Sequence, residues 1–123
     1  MQKHEEWFFI AEQDLQSACL LKDGGLFTTT LYHTQQCAEK ALKGYLVYQK
    51  QPIKKTHDLV ELVRECSKFD ETFFSLMDAA AELKPYITQS RYPDDYVESD
   101  EADVLEAIQN ASTVLEFVKS KIT

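Results

Sequence analysis

The stretch that decides the fold is Leu31-Tyr32-His33-Thr34-Gln35-Gln36-Cys37-Ala38-Glu39-Lys40-Ala41-Leu42-Lys43-Gly44-Tyr45. Leu31, Gln35, Ala38, Leu42 and Tyr45 recur at spacings of 4-3-4-3, the period of one helical face. Beside them runs a polar line, His33, Gln36, Lys40 and Lys43, also on one face. The spacing predicts a helix over about Thr28 to Gln49, with Pro52 ending the element.

The same period extends outward in both directions. Trp7, Ala11, Asp14, Ala18 and Leu21 predict a first helix from about Glu5 to Lys22, with Phe8, Leu15 and Cys19 widening its stripe. Gly24-Gly25 supplies a left-handed stop. One member of that stripe is wrong for a core: Asp14 is a carboxylate, and burying it requires a polar partner from the second helix or the Arg91 loop. A third helix opens at Thr56 or Asp58, where Asp58 and Glu61 have the capping-box spacing, and Leu59, Leu62 and Val63 form its apolar side. Asp70 caps a fourth that carries Phe73, Phe74, Met77, Ala80 and Leu83 and stops at Pro85. Tyr86 to Ser99 reads as irregular, and Val104, Ile108, Ala111, Leu115, Val118 and Ile122 mark a last helix over about Asp100 to Lys121. The expected architecture is all-α: an antiparallel up-and-down bundle of four to five helices in one domain, residues 1–123.

Composition agrees. At 123 residues the chain is long enough for one core without a metal or disulfide staple. Three Gly and three Pro are too few turn signals for a small all-β protein. The net charge of −8 disfavours a broad nucleic-acid or membrane surface. That average hides an asymmetry: Lys40 to His57 holds five lysines and no acid, whereas Tyr92 to Val118 holds eight acids and no base. Cys19, Cys37 and Cys66, odd in number and widely spaced, read as buried thiols of a reducing cytoplasm. No apolar leader opens the chain, no segment is apolar enough to span a bilayer, and no metal or cofactor motif is present. A Gly-rich phosphate loop, H-E-x-x-H, C-x-x-C and G-x-S-x-G are all lacking.

Three strings remain: Gln35-Gln36-Cys37-Ala38-Glu39-Lys40-Ala41-Leu42-Lys43, Lys55-Thr56-His57-Asp58-Leu59 and Ser90-Arg91-Tyr92-Pro93-Asp94. Together with Trp7, Ala11, Asp14, Leu15 and Ala18 they resemble the HEPN domain (higher eukaryotes and prokaryotes nucleotide-binding) over nearly the whole chain. The resemblance implies a helical bundle, a homodimer, and a minimal nucleotidyltransferase partner in a toxin–antitoxin-like pair. Many members are metal-independent ribonucleases with an R-x(4–6)-H motif. Here neither Arg64 nor Arg91 is followed by a histidine at that distance, so the chain resembles the branch without it.

The residues support a binding site beside this resemblance. Lys40 and Lys43 offer ammonium charge, Arg91 a planar fork of donors, and His57 an imidazole at a helix start. Tyr92, with Tyr86, supplies a stacking ring. Asp14, Gln35, Glu39, Thr56 and Asp58 read as structural polar groups that fix register or cap helices. Three readings result: a non-catalytic nucleotide or RNA-phosphate binding dimer, a ribonuclease using His57 or His33 with Arg91, and a purely structural dimer. The binding reading expects Lys40, His57 and Arg91 to converge on one point, with Tyr92 alongside.

Overall fold

A computed structural model describes residues 2–89, 93–95 and 99–122. The described residues form helices without strands: α1 (Lys3–Asp23), α2 (Phe27–Tyr48), α3 (Leu59–Ser67), α4 (Met77–Leu83), α5 (Tyr86–Gln89) and α6 (Glu101–Ser120). Short 3-10 turns cover Glu71–Leu76 and Pro93–Asp95. None of the helices is long and apolar enough to cross a membrane.

The long helices start and stop where their chemistry dictates. Gly25 adopts φ 78° after α1, a conformation open to glycine at little cost, and turns the chain back into α2. Asp100 and Asp103 form a reciprocal capping box at the start of α6. Asp58 caps α3 by accepting from the amides of Val60 and Glu61. The expected return bond from the Asp58 amide to Glu61 is absent, and the Glu61 carboxylate instead accepts the Thr56 hydroxyl at 3.0 Å. Thr56 Oγ1 in turn accepts the Asp58 amide.

Helix α2 is the axis of the bundle: it touches each of the other five helices, and fourteen of its 22 residues are buried. Leu31, Gln35, Ala38, Leu42 and Tyr45 are all among them. Around them close Phe8, Ala11 and Ala18 from α1, Leu59, Leu62, Val63 and Cys66 from α3, and Val104, Ala107, Ala111, Val114, Leu115 and Val118 from α6. Phe73, in the first 3-10 turn, packs against Tyr45 and Phe117 with ring centroids 4.4 and 5.1 Å away. Burying these side chains is worth about 1.5–3 kcal/mol for each large one.

Several expectations need correction. The fourth helical region begins as a 3-10 turn, so Phe74 points to solvent while Leu76 takes the buried place. Tyr86 to Ser99 contains α5 and a 3-10 turn, so it is partly regular. Cys19 is exposed, one helical position past buried Ala18. Phe8 keeps its place in the stripe and is buried, Phe117 is half-buried, and Phe9, Ile10 and Leu105 face solvent.

Contact between α1 and α2 depends on Gly44. A methyl group there would sit 2.9 Å from Phe8 Cε1 and 3.0 Å from Trp7 Cβ. Overpacking of this kind costs about 1–3 kcal/mol, against a helix-propensity gain of about 1 kcal/mol. Gly44→Ala is therefore expected to lower the melting temperature by roughly 3–5 °C. An unchanged or raised midpoint in differential scanning calorimetry would show that α1 can move away freely.

Candidate functional site

Of the seven buried polar or charged residues among those described, six lie on α2 and the seventh, Asp14, faces it from α1. Uncompensated, each would cost several kcal/mol if charged. None is uncompensated: no buried side-chain nitrogen or oxygen lacks a partner among the described residues.

The partners fall into two networks. In the first, Asp14 Oδ1 lies 2.9 Å from His33 Nδ1, and Asp14 Oδ2 accepts from Lys40 Nζ at 2.9 Å. One carboxylate thus binds two residues seven apart on α2, which locks the register of α1 along it. In the second, Glu39 is only 4% exposed. Its Oε2 accepts from Lys43 Nζ at 3.0 Å, and its Oε1 accepts from Gln35 Nε2 at 3.1 Å and lies 2.9 Å from His57 Nδ1. Gln35 Nε2 also donates to the His57 carbonyl at 3.1 Å, and Gln36 Nε2 donates to Gln35 Oε1. Burial pushes the Glu39 carboxyl up, but the hydrogen bonds from Lys43, Gln35 and His57 outweigh it and hold the group below the usual glutamate range.

His57 leaves this buried network for the surface, its side chain 59% exposed. It lines a cavity of about 350 Å³ together with Asp58, Lys84, Pro85, Ile87 and Thr88. Two of the lining residues pair directly, Lys84 Nζ lying 3.1 Å from Asp58 Oδ2. Burial raises the Asp58 carboxyl, and Lys84 with the Glu61 and Val60 amides more than reverses this. The cavity therefore carries one imidazole, one ammonium paired with one carboxylate, and one hydroxyl against an apolar wall.

The sequence candidates are distributed unevenly across this geometry. The acid-free lysine run is divided by the fold: Lys40 turns to Asp14, Lys43 to Glu39 and Lys54 to Glu65. Lys43, 7% exposed, carries its ammonium on an internal carboxylate. Lys40 and His57 are bonded in separate networks, so no shared hydrogen bond brings them together. Arg91 and Tyr92 lie outside the described residues. Sequence reasoning missed Lys84, Ile87 and Thr88, whose only signal was their place between the fourth helix and the Arg91 string. It also missed that Glu39 pairs with both Lys43 and His57. The i, i+4 spacing of Glu39 and Lys43 announced the first of these bonds. Burial pushes the Cys37 and Cys66 thiols up to about 12, so both are protonated at neutral pH.

A model of the HEPN domain matches residues 4–121. The chain belongs to the HEPN domain family. Solved structures share its course closely. The crystal structure of ST0689, described as an archaeal HEPN homologue, is 34% identical, covers 100% of both chains and superposes with a TM-score of 0.80. That of TT1696 from Thermus thermophilus is 26% identical, with a TM-score of 0.90 over 99% of this HEPN chain and 100% of the other. A Methanocaldococcus jannaschii protein named "Putative toxin MJ1304" is 27% identical over 124 residues, 89% of this chain and 81% of that protein.

The Glu39 network makes stability depend on pH. A depressed carboxyl contributes stability that is complete above its unfolded value, about 4.3, and is lost as pH falls through the lower folded value. Glu39→Gln is expected to lower the urea midpoint at pH 7 and to converge on wild type in acid. Parallel curves at both pH values would contradict the assignment. Lys43→Met alone leaves a buried charge unpaired and should cost about 3–5 kcal/mol, whereas Glu39→Met with Lys43→Met should recover most of that loss. Additive losses in that cycle would mean that the two groups are not a buried pair.

Proposed function

We propose that this HEPN chain is the binding member of a toxin–antitoxin-like pair. In this reading it is a cytoplasmic homodimer that engages a nucleotide or an RNA phosphate beside a minimal nucleotidyltransferase, without chemistry of its own. The observation that carries the proposal is the exposed His57 imidazole, anchored on buried Glu39 at the edge of a cavity that also holds Lys84 and Thr88. The last lining residue in sequence, Thr88, stands two residues before the Ser90-Arg91-Tyr92 string. The toxin name given to the Methanocaldococcus jannaschii relative supports the pairing, and the exposed Phe9, Ile10 and Leu105 support a dimer. Lys40 and Lys43 serve this site through the scaffold, since both ammonium groups are largely buried on carboxylates, whereas Lys84, although paired with Asp58, is half exposed and lines the cavity.

Ribonuclease chemistry is the second reading, favoured by one observation. A carboxylate on Nδ1 of an exposed histidine is the arrangement that prepares the opposite ring nitrogen to take a proton.

Titration with ATP, AMP and a short single-stranded RNA at low ionic strength tests the first reading. Binding should be weak, should fall as salt rises, and should be lost in His57→Ala and Lys84→Ala. Because His57 is largely solvated, His57→Ala should keep the wild-type melting temperature within about a degree or two, whereas Lys40→Ala should lower it by leaving buried Asp14 without its ammonium. Binding that survives both cavity variants would remove the site. RNA cleavage lost in both His57→Ala and Arg91→Ala would replace this reading with the second. Co-expression with a minimal nucleotidyltransferase from a neighbouring reading frame should yield a complex, and its failure would remove the partner.

A further inference from the structure

Charge neutrality in the Glu39 network is complete without His57. Lys43, itself buried, matches the single negative charge, and Gln35 gives the Oε1 side of the carboxylate a donor. The contact to His57 is thus an additional bond, made to a ring that water already solvates over most of its surface. Solvated histidines gain little net stability from one more hydrogen bond. What the bond does change is the ring. An ionised carboxylate accepts and cannot donate, so the nitrogen facing it must carry a proton. The free imidazole side chain otherwise interconverts between two tautomers, and a second partner fixes which nitrogen is protonated.

The backbone of His57 is held by the same device. The Gln35 amide bridges Glu39 Oε1 and the His57 carbonyl, 3.1 Å from each, and Gln36 fixes the orientation of that amide by donating to its oxygen. Consecutive turns of the most buried helix therefore converge on one residue that is itself exposed. No protein group among the described residues occupies Nε2.

We infer that Glu39 is a positioning residue: with Gln35 it holds His57 in the Nδ1–H tautomer, so that the unprotonated Nε2 is the atom presented to whatever enters the cavity beside Lys84 and Thr88. This rests on the reading of His57 as a ligand-facing group, yet it makes a claim about the ring that holds before any ligand arrives.

The test is the imidazole nitrogen spectrum of the full chain by long-range proton–nitrogen NMR at alkaline pH, where free imidazole is neutral. The chain has three histidines, and loss of one signal set in His57→Ala distinguishes this ring from His4 and His33. Wild-type His57 should give a protonated Nδ1 and a bare Nε2. In Glu39→Met with Lys43→Met, which removes the buried pair without stranding a charge, His57 should shift to a tautomer mixture or to Nε2–H. Should that variant not fold, the wild-type spectrum still decides. An Nε2–H or mixed tautomer in wild type would overturn the inference, as would a folded double variant with an unchanged His57 signal. The expected tautomer with no binding of ATP, AMP or RNA would leave the positioning role standing and remove the binding function instead. Binding with the opposite tautomer would do the reverse.

Discussion

Burying α2 on nearly every side is possible only because its inward charges meet opposite charges at hydrogen-bonding distance. Glu39 and Lys43 neutralise one another within the helix, and Lys40 reaches across to Asp14 on α1. For stability alone an apolar axis would be the cheaper solution, since buried ion pairs rarely add net stability over well-packed hydrophobic residues. What such pairs supply is discrimination. Asp14 has two partners at fixed places along α2, so a slide of α1 by one turn would strand a carboxylate and an ammonium together. Gly44 then lets α1 approach closely at that one register.

The same constraint explains where the exposed chemistry stands. Glu39 lies at the centre of the bundle, and its Oε1 reaches His57 at the entrance to α3. Asp58 next to it caps that helix and holds Lys84 from the end of α4. Two neighbouring residues therefore tie three helices to one cavity. Its imidazole is fixed from below by the core, and its ammonium is fixed from the side by a capping residue. A site assembled in this way inherits the rigidity of the bundle, although the groups themselves are on the surface.

Much of this was legible in the residues. The 4-3-4-3 spacing of Leu31, Gln35, Ala38, Leu42 and Tyr45 states the buried face of α2 directly. Asp14 in an apolar stripe announces that it needs a partner, because an unpaired buried carboxylate is too costly to keep. The lysine run was harder. Charge along a sequence does not say which way a side chain turns, and Lys40, Lys43 and Lys54 each turn to a carboxylate brought in by helix geometry or tertiary contact. Phe74 and Cys19 failed as core residues for a related reason. A 3-10 turn has about three residues per turn in place of 3.6, which rotates Phe74 outward. Cys19 lies just past the edge of a narrow stripe. The Glu39–His57 bond joins residues 18 apart through a segment without regular structure, so no periodicity could reveal it.

The Gln35, Gln36, Glu39 and Lys43 part of the α2 string, on this account, presents one surface point, His57 and the cavity beside it. Amide chemical-shift mapping with a short single-stranded RNA at low ionic strength tests this most directly. The account predicts perturbations concentrated at His57, Asp58, Lys84, Ile87 and Thr88, with the outward face of α1 unaffected. Shifts centred on another face of the bundle, or none at all in folded protein, would contradict it.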